Sequence, residues 1–330
     1  MKPLFKNPKA VILAERTLEQ VKSYDVYSLV FMTVCTLLAI VFYTYVPNAS
    51  SVIMLDIFIA IAIGTMILIQ ALADIPFFAM LRRFYIVPLV YLMYDQVHRV
   101  VTVVHPVDYD DLLIEADRWI FGTDPTVWLS QFSHPVLTEY LQTCYFLFYI
   151  LPIMQAIELW RRRDLDRLDV FARAMAFCYF ASYLAYFAMP AIGPRFTLHE
   201  FSALNTELPG LWFTNWFRQI IDVGGGIAQG SINPAADVNR DCMPSGHTML
   251  TLVNIILGFR NGSRYRWLFF VIGGSLIIST VYLRYHYVID VLVGIVMAFL
   301  FLWLEPKADR HLLRRTARLL SVWKKSVNDL

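Results

Sequence analysis

Long apolar runs separated by short polar turns dominate the chain. Eight of them approach the roughly 20 residues a helix needs to cross a bilayer. They are Val26–Val46, Val52–Leu72, Phe84–Val104, Val136–Leu159, Val170–Met189, Met243–Phe259, Trp267–Leu283 and His286–Leu304. The third carries Asp95, His98 and Arg99 in its second half. This pattern predicts an all-α polytopic transmembrane helical bundle of about eight spans. Residues 26–83 form an accessory helix pair, and residues 84–304 form a six-helix unit that holds every polar feature of interest. Residues 1–25 and 305–330 flank them as basic segments.

Composition sharpens this picture. Of 330 residues, 58% are hydrophobic and only 16% charged, against about a quarter charged in soluble domains. Most of the surface must therefore face something other than water. Lys and Arg cluster in alternate connections: Lys2 to Lys22, Arg82 and Arg83, Arg161 to Arg167, Arg260 to Arg266, and the tail from Lys307 to Lys325. The opposite connections hold only Arg118, Arg195, Arg218, Arg240 and Arg284. Positive residues favour the cytoplasmic side, so an even helix count predicts both termini in the cytoplasm and the two histidine motifs described below on the non-cytoplasmic face. The net charge of +2 comes largely from these clusters and does not point to nucleic acid. The tail, with Leu312, Leu313, Leu319 and Leu320 among its charges, is either a solvated helix or one lying along an anionic leaflet. The N-terminal stretch lacks a cleavable signal pattern. Cys35, Cys144 and Cys178 fall in apolar spans and Cys242 on the outer side, so no disulfide framework is expected.

Two outer connections stand out. Residues 105–135 contain an amphipathic turn set, with Leu112, Leu113, Ala116, Trp119 and Ile120 on one face and Asp110, Asp111, Glu115, Asp117 and Arg118 on the other, the signature of an interfacial helix. Residues 191–242 are long for a loop and rich in aromatics (Phe196, Phe201, Trp212, Phe213, Trp216, Phe217), followed by Gly224, Gly225 and Gly226. Such a segment serves either as a lipid-gating lid or as an interface anchor. Asp56 is expected near the outer interface, within reach of headgroups.

The chemistry concentrates in two short motifs. In Met243-Pro244-Ser245-Gly246-His247, the proline suits the first turn of a helix. The free amides of Ser245, Gly246 and His247 would then offer an anion site at a positive dipole end. In Arg284-Tyr285-His286-Tyr287-Val288-Ile289-Asp290, a helix would place Asp290 one turn below His286. There it can fix the imidazole tautomer and leave the other nitrogen free to attack. A hydrogen-bonded pair that only ties helices together is the alternative use of those two residues. Arg195, Arg240 and Arg284, close in sequence to these motifs, fit a phosphate clamp because guanidinium binds phosphate oxygens as a fork.

The order Arg195, Pro244-Ser245-Gly246-His247, His286-Tyr287-Val288-Ile289-Asp290 resembles the phosphatidic acid phosphatase type 2 (PAP2) superfamily. The resemblance implies a six-helix core and metal-independent phosphoryl chemistry with no cofactor. His286 would form a phosphohistidine, oriented by Asp290, and His247 would protonate the leaving group. Ser245, Gly246 and the arginines Arg195, Arg284 and Arg240 would hold the phosphate. The sequence departs from the family pattern at two places. Ala188 stands where the first motif has lysine, seven positions before Arg195. Ser279-Thr280 stands where the third motif has Ser-Arg, and Arg284 is expected to replace that charge. This variant is similar to the branch containing inositol phosphorylceramide and sphingomyelin synthases, which pass a phospho-headgroup between lipids in phospholipid or sphingolipid metabolism.

The expectation is therefore a membrane enzyme cleaving a lipid-linked phosphate ester or anhydride, with water or an acceptor lipid alcohol taking the phosphoryl group. A transporter using Asp95, His98, His286 and Asp290, and an inactive lipid-binding scaffold, are the rival readings. His98 and Arg99 with Asp95 suit either a structural network or a cavity lining from the third span. His105, His134 and His199 lack metal-ligand spacing, and no metal is expected. The glycine triplet is not followed by Lys and is no nucleotide loop.

Overall fold

Backbone N–H and C=O groups left unpaired in hydrocarbon cost several kcal/mol each, so an apolar chain there must be helical. The computed structural model describes residues 8–73 and 75–328. It is 77% helical, with no strand among the described residues. In chain order the helices are α1 (Pro8–Gln20), α2 (Ser23–Val41), α3 (Ala49–Leu72), α4 (Pro76–Phe84), α5 (Ile86–Val104) and α6 (Asp110–Phe121). Then come α7 (Pro125–Leu129), α8 (Pro135–Phe146), α9 (Ile150–Arg161) and α10 (Leu165–Tyr186). The outer connection is built of α11 (Pro194–Thr197), α12 (Leu204–Glu207), α13 (Thr214–Gly224) and α14 (Pro234–Asp237). The chain ends with α15 (Gly246–Arg260), α16 (Arg266–Tyr282) and α17 (Val288–Asn328).

Among the described residues, six stretches are long and apolar enough to cross a membrane: Ser23–Val41, Ala49–Leu72, Pro76–Val104, Pro135–Arg161, Leu165–Tyr186 and Val288–Thr316. The expected sixth and seventh spans form shorter helices, 15 residues in α15 and 17 in α16. Both are cut short at the motif end, where residues 242–245 and 283–287 turn out of helical conformation. The last span continues without a break through the basic tail to Asn328, so the expected boundary at 304 falls inside one helix.

The bundle centre is α15, packed against α10, α16 and α17. Gly294 lets α17 reach the start of α15, since a Cβ there would lie 2.7 Å from the Ser245 carbonyl oxygen. The accessory helices α2 and α3 pack on each other, and α2 also packs on α5 and α10. A buried polar staple fixes that junction. The Arg82 guanidinium pairs with Asp25 and donates to the Gln20 carbonyl at 2.9 Å and Gln70 Oε1 at 3.1 Å. Tyr85 donates to the other Asp25 oxygen at 2.9 Å. Farther along the same end, Arg173 bridges Glu305 and Asp309 at 2.7 Å each.

Two expectations are corrected. Asp56 does not face headgroups: it is buried and accepts a 2.6 Å bond from Thr36. The polar face of α6 is not wholly solvated, because Asp110 and Asp117 are buried while Trp119 is 88% exposed. The four cysteines are free and buried.

The staple supplies a stability test. Asp25→Ala leaves the Arg82 charge buried and unpaired, which costs about 3–5 kcal/mol. Denaturant or thermal unfolding in detergent is expected to show that loss, and the Asp25→Ala/Arg82→Ala double variant a smaller one.

Candidate active site

The local structure of the third motif begins with a helix end. The first N–H groups of a helix have no partner within it, and at α17 carboxylates take them. Asp290, in the first turn, accepts from the Tyr287 N–H at 2.9 Å. Asp117, reaching across from α6, accepts from Val288 and Ile289 N–H at 2.8 Å each. His286 therefore sits in the turn before the helix and not on it, a correction to the simple picture of a carboxylate one helical turn below. Asp110, seven residues and two turns before Asp117, accepts from Ile192 and Gly193 N–H at 3.0 and 2.8 Å and from the Tyr287 hydroxyl at 2.8 Å. Burial raises the pKa of both acids above the ordinary carboxylate value, against the pull of the amides they accept from.

The imidazole of His286 is held from behind. Its Nδ1 lies 2.8 Å from the Cys242 carbonyl oxygen and 3.5 Å from Asp290 Oδ2. The nearer acceptor is thus a backbone carbonyl, and the carboxylate supports it from slightly farther away. The tautomer that fits carries its proton on Nδ1 and leaves the Nε2 lone pair free. Nε2 faces His247 Nδ1 at 3.4 Å. His247 is gripped by aromatic rings, stacked on Tyr145 with centroids 4.7 Å apart and tilted against Phe148 at 4.4 Å.

The other sequence-predicted residues separate into two groups. Arg195 is brought to the site: buried, it lines the same cavity as the two histidines. It donates to Asp222 at 2.6 Å and lies 4.9 Å from the Tyr285 ring centroid. Burial works against its charge, yet the Asp222 carboxylate leaves its pKa raised. Arg284 and Arg240 are not brought there. Arg284 turns away to Glu207 and to Ser130 at 3.1 Å, and Arg240 pairs with Asp108 at 3.3 Å. The charge at the position of Thr280 is thus not replaced from Arg284. Pro244 precedes the helix, and Ser245 is the N-cap of α15, its buried hydroxyl accepting from Thr248 N–H at 3.3 Å. At Gly246 a Cβ would lie 2.7 Å from the Tyr186 hydroxyl, so this glycine is needed for close packing.

These groups open on a cavity of about 650 Å³ lined by Tyr91, Tyr94, Arg195, Trp216, Asp241, His247 and His286 among others. Helix α13 covers it with Trp216, Ile220 and Val223. Glu139 on α8 fixes the start of this cover by accepting from the N–H groups of residues 211–214, the shortest at 2.7 Å from Phe213. An apolar cleft of about 440 Å³ between α5, α9 and α10 shares Tyr91 and Tyr149 with the cavity. His98 is buried without a hydrogen-bond partner among the described residues, whereas Arg99 pairs with Asp95 at 2.6 Å.

Sequence reasoning did not reach the site roles of Asp110, Asp117, Asp241 or Cys242. The seven-residue spacing of the first two was an available signal, because it puts both on one helix face. Asp241, which accepts from Tyr94 at 2.5 Å, and Cys242 adjoin the second motif but belong to no recognisable pattern.

Residues 111–304, more than half of the chain, match a family model described as PAP2 superfamily. Comparison with curated proteins and with solved structures found no match.

Two predictions follow from the carboxylates of α6. Asp117→Ala strands the Val288 and Ile289 N–H groups and is expected to cost about 1–3 kcal/mol in unfolding free energy, with turnover reduced as His286 loses its support. The pH response has a defined sign. An acid with a raised folded-state pKa binds more protons folded than unfolded, so its stabilising contribution is complete below the ordinary value of 3.8 and lost as pH rises through the raised value. Unfolding measured across that window is expected to show stability falling with pH, with a shallower slope in Asp117→Asn.

Proposed function

The chain belongs to the PAP2 superfamily, and on that premise we propose that it is a membrane-embedded lipid phosphotransferase working through a phosphohistidine. The observation that carries the proposal is the pair of imidazoles: His286 Nδ1 engaged at 2.8 Å by a carbonyl, and its free Nε2 beside His247 at 3.4 Å. His286 Nε2 attacks phosphorus in line and the P–O bond to the leaving group breaks. The imidazolium of His247 gives its proton to that oxygen. In the second step neutral His247 takes the proton of an acceptor hydroxyl, whose oxygen displaces His286 and releases its nitrogen. Because 3.4 Å leaves no room for phosphorus between the two nitrogens, the His247 ring must pivot aside as the phosphoryl group seats. Arg195 supplies charge to the equatorial oxygens.

The substrate is a lipid phosphate, in keeping with family membership and with the apolar cleft that joins the cavity at Tyr91 and Tyr149. Transfer to an acceptor lipid alcohol, as in the branch of inositol phosphorylceramide and sphingomyelin synthases, is favoured over hydrolysis by the aromatic cover of α13, since a closed site limits water. The Lys and Arg distribution supports cytoplasmic termini and a site opening on the opposite face.

With purified protein and a panel of lipid phosphates, His286→Ala is expected to abolish turnover and the acid-labile phosphohistidine while lipid binding persists. His247→Ala is expected to lower kcat by about 10²–10⁴, with a smaller loss for substrates whose leaving group needs no proton. Changed flux without a covalent intermediate would favour a transporter, and no turnover in either form would favour a scaffold. Arg195→Lys keeps the charge but loses the fork; its expected cost is about 10²-fold in kcat, read in the same assay.

A further inference from the structure

The face of His286 turned away from His247 belongs to a second constellation. Cys242 Sγ, His286 Nδ1 and the Asp290 carboxylate come together with their ligand atoms within 4.8 Å of one another, and all three side chains are buried. The three separations are 2.9 Å from Sγ to Asp290 Oδ2, 3.7 Å from Sγ to Nδ1 and 3.5 Å from Nδ1 to Oδ2. A tetrahedral zinc ion with bonds of about 2.0–2.3 Å sets neighbouring ligand atoms roughly 3.3–3.8 Å apart. Two of the three edges already have that length. The third is a thiol-to-carboxylate hydrogen bond, which must lengthen by about 0.6 Å when a metal replaces its proton. The other carboxylate oxygen, Asp290 Oδ1, is buried without a hydrogen-bond partner among the described residues and supplies a further lone pair. Thiolate and carboxylate together cancel a divalent charge, which removes the main penalty of burying one. Cys242 and His286 both line the cavity, so an ion entering there meets two of its three ligands, with Asp290 buried behind them.

We propose that this cluster is an inhibitory site for Zn2+ or a similar thiolate-binding divalent cation, built onto the back of the nucleophile. The consequence for catalysis follows from the proton count. In the attacking tautomer Nδ1 carries the hydrogen and Nε2 the lone pair. Coordination needs the Nδ1 lone pair, so the hydrogen bond to the Cys242 carbonyl breaks and the imidazole proton moves to Nε2. The thiol proton and water ligands of the ion leave to solvent as sulfur–metal, nitrogen–metal and carboxylate–metal bonds form. Nε2 is then a donor toward His247 and cannot attack phosphorus. The ion takes no part in phosphoryl transfer. It switches the tautomer on which transfer depends. Inhibition rests on the proposed role of His286, whereas ion binding does not.

The test uses the purified full-length chain in detergent, with Co2+ as the optical probe. The expected result is one Co2+ bound per chain, with a sulfur-to-metal charge-transfer band and the intense visible bands of tetrahedral cobalt. Zn2+ should displace it and lower turnover at least ~10-fold over the same concentration range. Cys242→Ser is expected to lose the sulfur band, to bind Co2+ at least ~10-fold more weakly, and to show a correspondingly higher Zn2+ midpoint relative to its own uninhibited rate. Cys35→Ser, Cys144→Ser and Cys178→Ser, made singly, should keep the band. The proposal is overturned if the unaltered protein shows no sulfur band, if the band survives in Cys242→Ser, or if it follows one of the other cysteines. A Zn2+ midpoint for turnover unchanged in Cys242→Ser overturns the inhibitory role. A sulfur band in a protein inactive on every lipid phosphate would leave the ion site standing and reject the phosphotransferase reading.

Discussion

The contact on which the site depends is the short hydrogen bond between His286 Nδ1 and the carbonyl of Cys242. It joins the turn before α17 to the turn before α15, two segments 44 residues apart, and it uses a main-chain group that no substitution of a neighbouring side chain removes. A carboxylate in that place would add negative charge to the imidazole. A carbonyl fixes the tautomer with less electrostatic cost in a water-poor interior. Asp290 is then available for two tasks at once, closing the first turn of its own helix and backing the histidine.

Around that contact the outer layer acts as scaffolding. Helix α6 places two acids, seven residues apart, against the backbone of two of the three arms that carry the candidate residues: the Ile192–Gly193 turn leading to Arg195, and the start of α17. Each carboxylate answers amides that would otherwise be stranded in a low-dielectric place, where an unsatisfied donor costs most. Glu139 repeats the device for the cover helix α13. Four buried acids, Asp110, Asp117, Asp290 and Glu139, thus hold the starts of three helices, α11, α17 and α13.

Much of this was legible from the sequence, and the failures have physical reasons. The all-helical membrane bundle followed from the length of the apolar runs, because hydrocarbon permits little else. His247, His286, Asp290 and Arg195, which the family resemblance grouped, lie near one another in the structure. Arg284 and Arg240 do not, since proximity in sequence says nothing about side-chain direction once the backbone leaves the helix; Arg284 has a left-handed φ of 67° and points to Glu207. Asp110 and Asp117 looked like a solvated stripe because amphipathic periodicity separates polar from apolar, not wet from dry. Ser245 and Gly246 seemed poised for an anion, but the first is needed to cap α15 and the second to pack on Tyr186.

The shortness of α15 and α16 has a consequence for depth. At 1.5 Å per residue their 15 and 17 residues rise only about 23 and 26 Å, against roughly 30 Å of hydrocarbon. On the proposed topology, with the arginines at residues 260–266 near one boundary, the imidazoles would stand several ångströms beneath the opposite one. On the proposed lipid-phosphate reading, the substrate would keep its tails in place and bow its phosphate inward, below the plane of its neighbours' headgroups.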